Sequence, residues 1–106
     1  MPKYLWKVSY TPEGVRGLLK EGGSSRRQMV EDMTQALGGK LEGFYYAFGD
    51  DDVFVIADLP DHETAAAISL TVAAAGAVRI HTTVLMDPEE VDRASQKSVD
   101  YRAPGK

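Results

Sequence analysis

Between Lys40 and Pro60 the apolar residues gather into two short runs split by a polar break, and the rest of the chain arranges itself around that stretch. Leu41 to Phe48 is rich in aromatics and Val53 to Leu59 in β-branched residues, with Gly49-Asp50-Asp51-Asp52 between them. Aromatic and β-branched residues suit a pleated, half-buried surface, and Gly and Asp suit turns, so the stretch predicts a β-hairpin closed by Pro60. Lys3 to Tyr10 alternates, with Tyr4, Trp6, Val8 and Tyr10 on one side and Leu5, Lys7 and Ser9 on the other, which predicts a strand. Val78 to Met86 alternates in the same way: Val78, Ile80, Thr82, Val84 and Met86 oppose Arg79, His81, Thr83 and Leu85.

The remaining segments carry helical spacing. Thr11-Pro12-Glu13-Gly14 reads as a break after the first strand, and Val15 to Lys20 as one or two helical turns before Glu21-Gly22-Gly23. Ser24 or Ser25 suits the N-cap of the next helix, and Ser25 with Gln28 has the spacing of a capping box. Met29, Val30, Met33 and Leu37 then recur on one side of a helix, with Arg26, Arg27, Glu31 and Asp32 between them. Gly38 suits the left-handed position that ends it. Asp61 caps a further helix with Ala65, Ile68, Val72 and Ala75 on one side and Gly76 after its end. Asp87-Pro88-Glu89-Glu90 starts a short last helix, its acids on the positive end of the dipole. Past Ala94 the chain turns polar, so the expected division is a domain over residues 1–95 and a polar tail over 96–106.

The order β-α-β-β-α-β, joined by right-handed crossovers, predicts an α+β, ferredoxin-like antiparallel sheet of order 4-1-3-2 with both helices on one face. Tyr4, Trp6, Val8, Val53, Val55, Ala57, Ile80, Thr82 and Val84 make the expected face under the helices. The opposite face then holds Leu5, Lys7, Ser9, Tyr46, Phe54, Ile56, Asp58, Arg79, His81 and Thr83. A face with large apolar groups and no helix of its own calls for a partner. A second copy about a two-fold axis is the simplest one. The expectation is therefore a homodimer, or a higher homo-oligomer, with sheets facing each other as a dimeric α/β barrel.

Composition narrows the function classes. At 106 residues, 43% hydrophobic and 26% charged, the chain is of one-domain size and ordinary globular composition. Its formal net charge of -4 argues against nucleic acid and anionic membrane surfaces as partners, because both are held by clustered Lys and Arg. With no cysteine, the chain has no disulfide, thiolate metal site or Cys nucleophile. Charges interrupt the N-terminal apolar run as no secretory h-region allows, and the Thr64–Val78 run is too short and Ala-rich to span a bilayer. The expected location is cytoplasmic.

The ordered set Tyr10-Thr11-x-x-Gly14, Leu37-Gly38-Gly39-Lys40-Leu41, Phe44-Tyr45-Tyr46, Gly49-x-x-Asp52, Pro60-Asp61 and Gly76-x-Val78-Arg79 resembles the GYD domain family, over about the first 86 residues. The family is named for a Gly-x-Tyr-Asp turn, and Asp51 stands here where it has the tyrosine. The resemblance implies the ferredoxin-like fold and the dimer, and says little of activity, since the wider superfamily spans monooxygenases, isomerases, haem enzymes and ligand sensors.

Several constellations are candidates for chemistry. Asp50, Asp51 and Asp52 have the oxygens a hard cation takes, but three consecutive acids at a hairpin tip point apart and are ordinary turn residues, so no metal is expected. His81 is the candidate general base, its ordinary pKa lying near neutrality, with a hydrogen-bonded interface role as the alternative. Asp52 is the second catalytic candidate. His62, in the first turn of a helix, is expected to be in solvent, and the two histidines lack metal-binding spacing. Trp6, Tyr4, Tyr10, Tyr45 and Tyr46 are candidates to line a flat aromatic pocket under Met29 and Met33, or else are plain core. Arg26 and Arg27 are placed to hold a carboxylate or phosphate, or to form exposed ion pairs.

Two functions remain open on these residues. One is a cofactor-free binding or interaction module for a small apolar or aromatic ligand, with Trp6, Tyr10, Arg27, Tyr45 and Tyr46 as ligand-binding candidates. The other is a cofactor-free isomerase or monooxygenase-like enzyme in which His81 or Asp52 moves protons. No acid–base pair is visible in the pattern, which favours binding.

Overall fold

The alternating segments become strands, and the helical segments pack on one side of them. The structure is a computed structural model that describes all 106 residues. The elements in order are β1 (Lys3–Tyr10), α1 (Pro12–Glu21), α2 (Gly23–Ala36), β2 (Lys40–Tyr46), β3 (Val53–Asp58), α3 (His62–Ala75), β4 (Val78–Leu85) and α4 (Pro88–Ser95). The four strands form one sheet in the order β2-β3-β1-β4, with every neighbouring pair antiparallel. This is the expected α+β architecture and the expected strand order.

The register sorts the faces. Tyr4 stands opposite Ala57 and Val84, Trp6 opposite Val55 and Thr82, and Val8 opposite Val53 and Ile80. This face carries the core: Tyr4, Trp6, Val53, Val55 and Ala57 from the strands, closed by Ala65 and Ile68 of α3 and by Leu59. α2 lies along β2, and α3 along β4. Fully burying side chains of this size contributes roughly 1.5–3 kcal/mol each, so the pairing of this face with α2 and α3 is the main source of stability.

Three expectations are corrected. First, α1 is a full helix of 10 residues rather than one or two turns. What reads as a strand break is a helix start: Pro12 occupies the first turn, and the Thr11 hydroxyl oxygen accepts from the Gly14 N–H at 3.2 Å. Second, neither Ser24 nor Ser25 caps the helix. α2 begins at Gly23, and Gly22, at φ 93°, is the only residue between the two helices. Ser25 Oγ instead donates to Glu21 Oε1 at 3.0 Å, and Gln28 Nε2 donates to Asp32. Third, Tyr46 belongs to the helix-covered face. A β-bulge between Leu41 and Gly43 inserts Glu42, and the extra residue inverts the alternation after it. Tyr46 then opposes Val53, and Tyr45 opposes Phe54 on the other face. β2 also ends at Tyr46, two residues earlier than expected, and β3 at Asp58.

The caps of the later helices stand as read. Asp61 accepts from the Thr64 N–H at 2.8 Å, and Gly76 ends α3 in the left-handed conformation at φ 80°. Asp87 and Glu90 form a complete capping box on α4. No residue of α4 is buried. The Cα radius of gyration is 16.9 Å, against about 13 Å for a compact domain of this length; α4 and the residues after it stand away from the body.

Candidate functional site

The sheet and its two covering helices do not meet perfectly. Between them lies a cavity of about 70 Å³. Its floor is Trp6, Val8, Val55 and Ile80 of the sheet; Met29 and Met33 of α2 and Ile68 and Val72 of α3 form its roof. The reason is local: alanines are the commonest residue of α3, and Ile68 and Val72 are the side chains that it contributes to the lining. Methionine fills irregular space on the α2 side and is the most adaptable residue for doing so. Arg26 is the only charged residue in the lining, and Tyr10 supplies the only hydroxyl.

One interior polar group is unpaired. Trp6 is 2% exposed, and its Nε1–H is buried with no hydrogen-bond acceptor. The hydroxyl nearest in register, on Thr82, is engaged by Ser69 Oγ of α3 at 2.5 Å.

The rim at the end of β1 is polar. Burial pushes the Tyr10 phenol up to about 12, with the neighbouring Tyr46 and Asp52 adding to the shift and Arg26 opposing it. Tyr46 donates its hydroxyl proton to the Gly23 carbonyl at 3.2 Å, tying β2 to the start of α2. Arg26 lies 3.7 Å from Glu21. Arg27 lines a separate shallow depression with Gly23, Ser24, Phe44 and Tyr46. The structure thus brings Trp6 and Tyr10 to the cavity, sets Tyr46 and Arg27 beside it, and places Tyr45 on the opposite face of the sheet, 67% exposed.

The two catalytic candidates lie elsewhere. His81 is an exposed residue of β4, an edge strand, opposite Lys7 on the face without helices. Asp52 Oδ2 accepts from the Tyr10 N–H at 2.7 Å, while its own N–H donates to Val8 at 2.8 Å. Its carboxylate therefore extends the β1–β3 ladder by one bond. Asp51 accepts from Ser9 Oγ at 3.2 Å, so neighbouring acids of the hairpin tip serve different partners. No group of three or more His, Asp or Glu is placed to hold a metal ion.

His62 is not simply in solvent. Its Nδ1 lies 2.5 Å from the Tyr4 hydroxyl, with the rings edge to face at 5.8 Å. Burial, with Asp61 nearby, raises the Tyr4 phenol above its ordinary value. On the open face Lys3 bonds both Glu42 and Asp58, the latter at 2.9 Å, and these bonds raise its ammonium pKa.

Sequence reasoning missed Phe44, Val30, Ile68 and Val72 as cavity residues, having taken them as hairpin or helix core. The large–small mismatch between an Ala-rich helix and a Trp-bearing strand was the available signal. The model of the GYD domain family matches residues 4–95 of the chain. Comparison with curated proteins and with solved structures finds no match.

Proposed function

The chain belongs to the GYD domain family; as that membership brings no activity with it, we propose from the cavity that the protein is a small binding module for a compact apolar or aromatic ligand. The observation that carries this reading is the cavity's position and lining. It lies between sheet and helices, is apolar except for Arg26 and Tyr10, and is roofed by two flexible methionines. Small-molecule sites have this character: mostly apolar walls with a few polar groups that orient the ligand. Neither His81 nor Asp52 lines the cavity, and no acid–base pair faces it, so the geometry supports binding over proton transfer.

The open sheet face supports a second part of the proposal. Leu5, Phe54 and Ile56 are only half-buried there, Tyr45 is exposed, and no helix covers them. A homodimer about this face would cover them. No helix of the chain is long and apolar enough to cross a membrane.

A thermal-shift screen with small aromatics, run on the wild type and on Val72→Phe, tests the binding reading. Val72 sits in the roof, so phenylalanine there fills the cavity. A ligand present at 100 times its Kd adds about 2.7 kcal/mol to the wild type, and the variant is expected to lose that response. Equal responses in both proteins, or none in either, would overturn cavity binding.

A further inference from the structure

We propose that the indole N–H of Trp6 is the recognition donor of this cavity, and that the ligand carries one neutral hydrogen-bond acceptor on an otherwise apolar body. The inference rests on the binding reading above and narrows it from any small apolar molecule to one with a ring nitrogen, carbonyl or ether oxygen at a defined place.

The geometry supports this in three ways. Trp6 sits mid-strand in β1, flanked by Val55 on one side and Thr82 on the other. Val55 offers no side-chain acceptor, and the Thr82 hydroxyl is already engaged with Ser69 at 2.5 Å. No protein group accepts from the indole although it is buried, and buried side-chain donors are overwhelmingly paired. Trp6 is also a wall of the cavity; its Nε1 is closed off in this conformation, so a molecule in that space reaches the donor by widening the cavity beside the indole rather than by rearranging the sheet.

Charge and size set the rest of the chemistry. No cation lies deep in the cavity: Arg26, the only charged lining residue, is half-buried and beside Glu21 at 3.7 Å. An ionised group at Trp6 would be buried without a counter-charge, which is costly, so the acceptor is neutral. A cavity of about 70 Å³ is less than half the roughly 150 Å³ known to admit benzene in a rigid apolar core. Met29 and Met33, the flexible side chains of the roof, are the residues that have to move to admit a single ring.

Trp6 is the only tryptophan in the chain, so one indole proton–nitrogen cross-peak in an NMR spectrum reports on it alone. The test is a titration of the ¹⁵N-labelled, methyl-labelled full chain at pH 8 with pyridine and, separately, with benzene, which has the same shape and no lone pair. The expected result is that pyridine shifts the Met33 and Ile68 methyl signals and moves the indole proton downfield. Benzene is expected to leave the indole proton without that downfield shift. Trp6→Phe is expected to weaken pyridine about tenfold, the size of one net hydrogen bond, and benzene by less than about threefold. Methyl shifts with pyridine and an unmoved indole proton would overturn the proposal and leave the apolar-ligand reading standing. The same holds for an indole proton already at a hydrogen-bonded position that pyridine does not change, since a water is then its partner. Methyl signals unmoved by either probe would remove the binding reading itself. If Trp6→Phe does not fold, the wild-type cross-peak decides alone.

Discussion

Asp52 and Tyr10 form a single structural unit at the end of β1. The Asp52 carboxylate accepts from the Tyr10 N–H at 2.7 Å, which holds the rim of the cavity in place. Asp52→Ala removes a charge-assisted acceptor and leaves that N–H without a partner, so an unfolding free energy lower by about 1.5–3 kcal/mol is expected in urea titration. Asp52→Asn keeps an acceptor oxygen and is expected to restore most of the loss; an Asp52→Ala variant as stable as wild type would mean the bond contributes nothing. Tyr10 gives a pH signature. Its phenol is pushed from an ordinary 10.0 to about 12 in the folded chain. Below pH 10 both folded and unfolded chains keep the proton. From pH 10 to 12 only the unfolded chain releases it, so the stability this group contributes falls across that window. Thermal melts of Tyr10→Phe are expected to decline less steeply than wild type there, and parallel curves would refute the shift.

At the scale of elements, the join between α1 and the loop before β4 is the tightest of the approaches that a glycine permits in this fold. A Cβ on Gly14 would lie 1.9 Å from the Ala77 carbonyl oxygen, and Thr11 donates to the same loop through both its backbone and its hydroxyl. Gly14→Ala therefore has to push α1 off the sheet end. Its expected cost is about 1–3 kcal/mol, the usual range for overpacking a filled site, measured as a lower urea midpoint. Gly17, in the same helix with open space around it, is the control: Gly17→Ala is expected to be neutral or stabilising, because alanine is the better helix former. If the two variants behave alike, the close approach is not what positions α1.

For the whole molecule, the unpaired sheet face and the projecting C-terminal segment set the outline. A single chain extends 56 × 34 × 23 Å, with one side of its sheet bare of helices. A homodimer on that face is expected to appear as a mass near twice 11.6 kDa in light scattering. Ile56→Lys, at the centre of the face on β3, is expected to shift the protein to the monomer while leaving the core register intact. A wild-type monomer at high concentration would overturn the dimer proposal. A dimer unaffected by Ile56→Lys would place the contact elsewhere, for instance on α4.

The strands, their order, the caps of α3 and α4 and the turn at Gly38 were legible in the sequence, because each is a local signal or follows from one. Period-two alternation fixed the inward set on β1, β3 and β4, and Asp61, Gly76 and Asp87 act on neighbours within four residues. Trp6 and Tyr10 were named as lining residues for the same reason: their strand positions already pointed inward. What the sequence could not show depends on contacts between distant segments. The face of Tyr46 hangs on one inserted residue, Glu42, whose bulge is defined only by pairing β2 with β3. Asp52 reads as a free acid until β1 brings the Tyr10 N–H to it. The cavity exists only because an alanine-rich helix spans a strand that carries tryptophan, leaving space that no local pattern records. The identity of each element was therefore written along the chain, while the site was decided where the elements fail to fill the volume between them.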